Sequence, residues 1–521
     1  MIGLIKNEFI KEYTLKRIIF ILLFFVIITI GFILFRSGST SIEGMSENDA
    51  LDLYKNQLVV SQKAYDKNKT LDNLHNLMGN KIFVEYYQSL VDEHIPYGDW
   101  RSDLVGNIML LKLKMTPLAI IKGGAAPDSF EAGKNYKDYS VEQIDKEIED
   151  YQGQIEQLNE ALKSNKYYVY VGVKINSLND ELDGLNNQIK QGVTDYNISQ
   201  ALRTKEEIKI SNFVVSHKIT TNKDKRVKES EAILSAIVSK QEVLSEVDFK
   251  KDFFKATQYK DYKQYKEMVT AYNKGIDNEI KMSWYAMENN FFHAGSPFLN
   301  VIDESYVIFI FITFLMIMRA SSTLTSEFNS GTIKLLLTKG ASRLKIVTAK
   351  IINVLLSSYL MAFAFLLTFI IIGSFFFDIS DLLSPKLEVI NNVVIQKSYV
   401  LWLIKNILIV TVPMVFLCGL SFLIAIITLN GIIASGTSIF ILLLGIEMMG
   451  FIVGSYMFFL KYTPFAYLNM TSYTSSHIAS NNYHFMPSIF SLNQGVIILL
   501  LSTLIVYGIS IIIFMRRDIK N

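Results

Sequence analysis

The residues able to do chemistry in this chain are scattered, and none of them assembles into a catalytic set. No G-x-x-x-x-G-K-[ST] loop is present to cradle a phosphate, no H-E-x-x-H to hold zinc, and no G-x-S-x-G to carry a nucleophile. The six histidines are dispersed. His477 and His484 share one loop, but two ligands without a third make a poor zinc site. Cys418 is the only cysteine and lies in an apolar run, so it makes no internal disulfide and no metal motif. The expectation is a chain with no catalytic residue, no metal and no cofactor of its own, and therefore not an enzyme. The polar groups that most need an explanation are Arg319, Lys405 and Glu447, which fall in or beside long apolar runs. A charge at the centre of a bilayer costs on the order of 2.5–3.5 kcal/mol on insertion scales, so each must find a partner or reach the interface. Glu447 either lies near a translocation path or hydrogen-bonds a neighbouring helix. Lys405 can snorkel outward, and Pro413 interrupts the same helix.

The runs that position these groups fix the class. Half of the 521 residues are hydrophobic. They concentrate at 18–35, 304–320, 346–377, 399–428, 432–460 and 493–515. A run of about 18 or more apolar residues reads as a membrane-crossing helix, since ~20 residues rising ~1.5 Å each span the ~30 Å hydrocarbon core. The sequence therefore predicts an all-α membrane protein with about six transmembrane helices. Residues 1–17 form an amphipathic interfacial helix before the first span, with Ile2, Ile5 and Phe9 on one face. The first span is read as a retained anchor rather than a cleaved signal peptide.

Charge sets the orientation. Lys6, Lys11, Lys16, Arg17, Arg319, Lys334, Lys339, Arg343, Lys345, Lys350, Arg516, Arg517 and Lys520 all fall on one side of the six runs, against Lys386, Lys397 and Lys461 on the other. By the positive-inside rule both termini are cytoplasmic. The expected order is then a cytoplasmic segment 321–345, an external loop 461–492 with short helices, a cytoplasmic tail 516–521, and a tight cytoplasmic turn at Leu429–Asn430–Gly431. Residues 36–303 become a large extracellular domain. That segment holds 34 Lys and Arg against 40 Asp and Glu, so the overall charge of +2 conceals a slightly acidic domain, and a nucleic-acid surface is not indicated.

Within 36–303 the spacing is helical. Val141, Ile144, Ile148, Tyr151, Ile155, Leu158 and Leu162 form one heptad seam, and Ile175, Leu178, Leu182, Leu185 and Ile189 a second. The stretch KSNKYYVYVGVK between them is rich in aromatic and β-branched residues and reads as a break. Two such seams predict a short coiled-coil hairpin. Further helices are expected at 46–65, where Ser46 and Asp49 have capping-box form, at 228–248 and at 255–282. Tyr259, Tyr262, Tyr265 and Tyr272 read as packing residues rather than a binding surface.

The most informative segment is TSEFNSGTIKLLLTKGASRLKIVTAK, residues 325–350. It joins two spans and can hold a short helix from about Phe328 to Thr338, stopped by Gly340, with Ser342 capping the next span. Taken alone it is either a docking surface or a solvated basic loop. Glu327, Gly331, Thr332, the leucines 335–337, Gly340–Arg343 and Lys350 resemble the E-x-x-x-G-T-x-x-x-L-L…S-R…K signature of ABC-2 type transporter permeases. The interfacial N-terminal helix, the six spans and the span-four/span-five hairpin are similar to that family as well. Many members have Pro where Gly340-Ala341 stands; the Gly form fits a subgroup associated with low-GC Gram-positive bacteria. Most simple members also lack an insertion as large as 36–303.

The resemblance implies a multi-pass permease subunit in a bacterial plasma membrane, paired with a second permease subunit, identical or different. ATP would be hydrolysed in a separate cytoplasmic ATP-binding ABC subunit. It makes Glu327, Gly331, Thr332, Leu335, Gly340 and Arg343 the residues that couple to that subunit. It implies export of a peptide, an antimicrobial or a lipid-like compound. The alternative is a non-transporting receptor or secretion scaffold that displays the extracellular helical domain. The partners expected are the ATPase subunit, a second permease and membrane lipid, with no nucleic acid.

Overall fold

The computed structural model describes residues 2–38, 46–96, 98–192, 195–252, 261–293, 297–333, 342–446, 448, 451–452, 458–470 and 491–517. In chain order the main helices are α1 (Ile2–Glu12), α2 (Leu15–Gly38), α3 (Glu47–Lys67), α4 (Leu71–Asp92), α5 (Trp100–Lys122), α6 (Val141–Ser164), α7 (Tyr167–Gln191), α8 (Asp195–Ser216), α9 (Lys225–Val238), α10 (Glu246–Lys251), α11 (Tyr262–Asn289), α12 (Pro297–Ser305), α13 (Phe309–Asn329) and α14 (Arg343–Gly373). After a two-stranded hairpin, β1 (Lys386–Ile390) and β2 (Val393–Lys397), come α15 (Tyr399–Thr428), α16 (Gly431–Ile446) and α17 (Leu492–Arg516). The chain divides into two compact units, one made of residues 1–38 and 231–521 and the other of 39–230.

Among the described residues of the first unit five helices are long and apolar enough to cross a membrane: α2, α13, α14, α15 and α17; α16 is a shorter apolar helix. The rest of the expected fifth span, Glu447 included, lies outside the described residues apart from 448, 451–452 and 458–460. α15 is the axis of the bundle. Of its most apolar stretch 72% is buried, against 17% for α2 and 22% for α17, so α15 is packed on several sides while the other two keep a broad apolar face. Around it pack α13, α14, α16 and α17, with Ile312, Met316, Phe365, Phe369, Ile407 and Cys418 in one continuous core. The α15–α16 turn forms as expected. Leu429 takes a left-handed conformation, and the Asn430 carboxamide accepts from the amides of Ile432 and Ile433 at 2.9 and 3.2 Å, capping α16. A side chain at Gly431 would run into Thr325 of α13, so the turn tolerates only glycine at that close approach.

Two departures from the sequence reading stand out here. The second span was expected at 304–320, but α13 runs on to Asn329, preceded by α12 and a 3-10 turn at Tyr306–Ile308. The polar residues of 321–327 stay helical because Ser321, Ser322 and Thr325 bond carbonyls one turn back on α13, while Thr323 and Glu327 meet groups of α1 and α14. The loop expected between spans three and four contains an antiparallel hairpin, with Lys386 opposite Lys397 and the turn at Asn391-Asn392, both at positive φ. Such a two-residue turn matches the twist of the strands, and asparagine tolerates the left-handed region better than most residues. Leu387 packs on Met282 and Ala286 of α11.

α11 begins at Tyr262 and not near 255, residues 253–260 lying outside the described set, and α9 stops at Val238 instead of continuing to 248. The tyrosines of α11 are packing residues as read. The Tyr265 hydroxyl donates to the carbonyl of Glu242 and accepts from the amide of Leu244, both at 3.0 Å, while Tyr272 sits with Ala236 and Ile276.

The second unit is a helical assembly whose core holds Leu104, Val105, Ile108, Leu158, Ala161, Tyr170 and Val214. α5 is also long and apolar enough to cross a membrane. Its apolar residues are used within the unit: Trp100 stacks on Tyr170 with ring centroids 5.8 Å apart, and Leu118 meets Ile144 and Ile148 of α6. So the first heptad seam packs on α5 at its N-terminal half, where a facing second seam was expected, and α7 has α8 as its main neighbour. The aromatic stretch read as a break is helical from Tyr167 onward, because Tyr167, Tyr170 and Val171 fill the core. Tertiary burial overrides the modest helix propensity of those residues. α6 itself starts on a full capping box, Ser140 with Gln143, and ends at Asn165 in the left-handed region.

Candidate functional site: an ion-paired junction around Lys350

Three polar stripes meet inside the first unit. On α1, Glu8 and Glu12 are one turn apart. On α13, Arg319, Thr323 and Glu327 recur every four residues. On α14, Lys350, Asn353 and Ser357 recur at three and four. Those spacings put each set on one helical face.

Lys350 is the centre, with its side chain only 1% exposed. Its ammonium lies 3.0 Å from Oε2 of Glu8 and 2.8 Å from Oε2 of Glu327, and donates to the carbonyl of Thr323 at 3.3 Å. The Lys11 ammonium joins the other oxygens of the same two carboxylates, at 3.3 Å from Glu8 and 3.4 Å from Glu327. Partial burial opposes the charge on Lys11, but Glu8 and Glu327 outweigh it and hold the ammonium above its ordinary pKa. One turn along, the Arg319 guanidinium pairs with Glu12, donates to the Tyr13 hydroxyl at 2.7 Å and to Ser357 at 3.0 Å, and lies 4.4 Å from the centroid of the Tyr13 ring. Asn353 donates to the same Glu12 carboxylate at 2.5 Å, and Thr323 donates to its other oxygen at 3.3 Å.

The junction therefore holds three carboxylates and three cations and is neutral as a whole. Neutrality decides its energetics. Removing one partner from a buried pair costs about 3–5 kcal/mol, whereas the complete set is near break-even against apolar packing. The arrangement thus fixes geometry more than it adds stability, and it fixes α1 to α13 and α14. Glu8 is the buried residue of α1, while Ile2 is exposed and Ile5 and Phe9 are half-buried.

The segment between α13 and α14 is held at both feet. At its start, Glu327 sits in the last turn of α13, at the negative end of that helix. Lysines, not backbone amides, neutralise it there. The chain turns at Gly331, whose φ is +69°. Among the described residues nothing lies near its Cβ position, so the left-handed conformation is what favours glycine here. Thr332 lies 2.9 Å from Ser330, hydroxyl to hydroxyl. At the other foot, Ser342 caps α14 through the amide of Lys345. Arg343 donates to the carbonyls of Met515 and Arg517, at 3.2 and 2.8 Å, closing the C-terminal end of α17. Arg517 does the same for α15 through the carbonyls of Ile426 and Ile427. Helix C-termini leave carbonyls without partners, and arginine supplies donors for them.

Of the other residues singled out from sequence, Leu335, Gly340 and Glu447 lie outside the described residues. Lys405 is exposed on α15, away from the junction. Glu8 and Glu12 were missed. The signal for them existed: two cations inside apolar helices require two carboxylates, and α1 offers a pair at i and i+4.

The helices and the junction define a class, a multi-pass α-helical membrane protein whose inner polar groups are paired among themselves. Residues 2–519 match the model for the ABC-2 family transporter proteins, and the chain belongs to that family. It is thus a membrane transport component of the ABC type. The chain is also similar to the uncharacterized protein YhcI of Bacillus subtilis (strain 168), at 27% identity over 250 residues, which cover 47% of this chain and 77% of the relative.

Proposed function

We propose that this chain is the permease subunit of an ATP-driven exporter. A separate cytoplasmic ATP-binding ABC subunit docks on the segment 325–345, and a second permease subunit, identical or different, completes the pathway. One observation carries the reading: the segment between α13 and α14 is anchored on either side, by the buried ion pair of Glu327 with Lys350 at one foot and by the hydrogen bonds of Arg343 to the end of α17 at the other. A push on a segment held in this way moves α13, α14 and α1 together, whereas a solvated basic loop would absorb it. In this reading both termini face the cytoplasm, α1 lies in the inner interface, and residues 36–303 stand outside a bacterial plasma membrane, of Gram-positive type. The cargo is a peptide, an antimicrobial or a lipid-like compound. Coupling runs through Glu327, Gly331, Thr332, Leu335, Gly340 and Arg343.

The test is copurification with the nucleotide-binding subunit and cargo-stimulated ATP turnover in the complex. The wild-type chain is expected to bring down that subunit. Gly331→Leu places a side chain at a left-handed φ, at a cost of roughly 1–2 kcal/mol confined to the turn. It should leave membrane insertion intact and abolish stimulated turnover. Normal turnover in this variant, or no nucleotide-binding partner in the wild type, would favour the alternative of a non-transporting scaffold.

A further inference from the structure

The junction uses up the polar groups of α1, α13 and α14. It leaves Lys405, the sole charged residue of α15, unexplained. Lys405 is the seventh residue of its helix, about 9 Å along the axis from Tyr399. Its side chain is exposed and has no carboxylate or hydrogen-bond partner among the described residues. Neither α15 nor α17 contains an Asp or Glu that could approach it. It opens onto a groove of about 610 Å³ between the two helices, walled by Leu401, Ile404, Leu408 and Ile497, with Asn493 at the start of α17.

We propose that this groove binds an anionic phospholipid of the leaflet that the α15 N-terminus faces. The phosphate sits on the Lys405 ammonium and the Asn493 carboxamide, and an acyl chain runs along the four aliphatic side chains. The occupant follows from complementarity. An ammonium without a partner among the described residues, on the open face of the first turns of α15, needs a negative group, and the walls need an apolar one. A lipid brings both in one molecule. An acidic peptide strand would bring backbone amides that the aliphatic walls cannot satisfy. Basic segments are repelled.

The full-length chain in detergent, titrated with lipid and read by native mass spectrometry, tests this. Phosphatidylglycerol should be retained in preference to phosphatidylcholine. Lys405→Gln should weaken phosphatidylglycerol binding about fivefold, the contribution of one lysine near a membrane surface. Lys405→Arg, which keeps the charge, should stay within about twofold. Leu408→Trp, which fills the groove, should weaken binding while leaving Lys405 in place. Equal phosphatidylglycerol binding by wild type and Lys405→Gln would overturn the site, as would absence of a preference over phosphatidylcholine. Displacement of the lipid by inorganic phosphate would show a free-anion site and overturn the lipid assignment.

Discussion

The Lys350 ammonium lies between the carboxylates of Glu8 and Glu327, 3.0 and 2.8 Å away, joining an N-terminal helix to two helices more than 300 residues downstream. Removing that ammonium is the most direct test of the junction. Lys350→Met leaves three carboxylates against two cations, with Glu8 and Glu327 sharing only the half-exposed Lys11. The expected loss is about 3 kcal/mol in thermal unfolding, with α1 becoming open to proteolysis near Tyr13. The double change Lys350→Met, Glu8→Gln restores neutrality, leaving Lys11 to Glu327 and Arg319 to Glu12, and should recover most of the loss. No recovery would mean that packing rather than charge holds α1.

Arg319 and Glu12 form the second half of the junction and are in direct contact, so their substitutions should not be additive. A double-mutant cycle with Arg319→Met and Glu12→Gln is expected to give a coupling energy of roughly 1–3 kcal/mol. A value near zero would reduce the pair to coincidental proximity.

Orientation is accessible by labelling, since Cys418 is buried and silent toward impermeant thiol reagents. Lys69 and Ser330 are both exposed. Lys69→Cys should react from outside intact cells and Ser330→Cys only after the membrane is opened. The reverse pattern would invert the topology, and equal reaction of both would remove the six-span arrangement.

The second unit carries two equivalent aspartate–arginine pairs. Asp99 accepts from both the side chain and the amide of Arg101 while capping α5, and Asp224 does the same with Arg226. In both cases the arginine hydrogen bond is the main cause holding the carboxyl below its ordinary value, against a smaller opposing effect of burial. A depressed folded-state pKa stabilises above the unfolded value near ~3.9 and loses that contribution as pH falls through the lower folded value. The wild-type unit should therefore lose stability as pH falls below ~4, and Asp99→Asn with Asp224→Asn, less stable near neutrality, should flatten that dependence. Circular dichroism against pH reads the difference; superimposable acid curves would contradict it.

Ile148 is buried against α5 with Leu118 and Ile144. Ile148→Asp puts a carboxylate there without a partner and should cost at least about 2 kcal/mol, seen as lost hydrogen-exchange protection in α5 and α6. Val141, on the same helix but 74% exposed, should tolerate Asp within about 0.5 kcal/mol.

How far the sequence reaches depends on the range of the interaction. The apolar helices are legible because hydropathy is a property of each segment alone. The caps at Ser46 and Ser342 are legible because they act over three residues. The start of α7 at Tyr167 is not, since the tertiary core overrides a local preference. The β1–β2 hairpin escapes because five-residue strands around Asn391-Asn392 leave little periodicity to read. At the junction, Glu327 and Lys350 are visible as motif positions and Arg319 as an intramembrane charge. Their partners Glu8 and Glu12 are hundreds of residues away, and only the fold names them.

The separation of Glu8 from Lys350, 342 residues, has a consequence for biosynthesis. At roughly 5–20 residues per second, the ribosome needs about 20–70 s after making α1 before its lysine partner exists. Throughout that interval Glu8 and Glu12 must stay hydrated, so α1 cannot take its final place until α14 has been inserted. The first helix synthesised is among the last to be seated, and a chain truncated before Lys350 would be left with its N-terminal helix undocked.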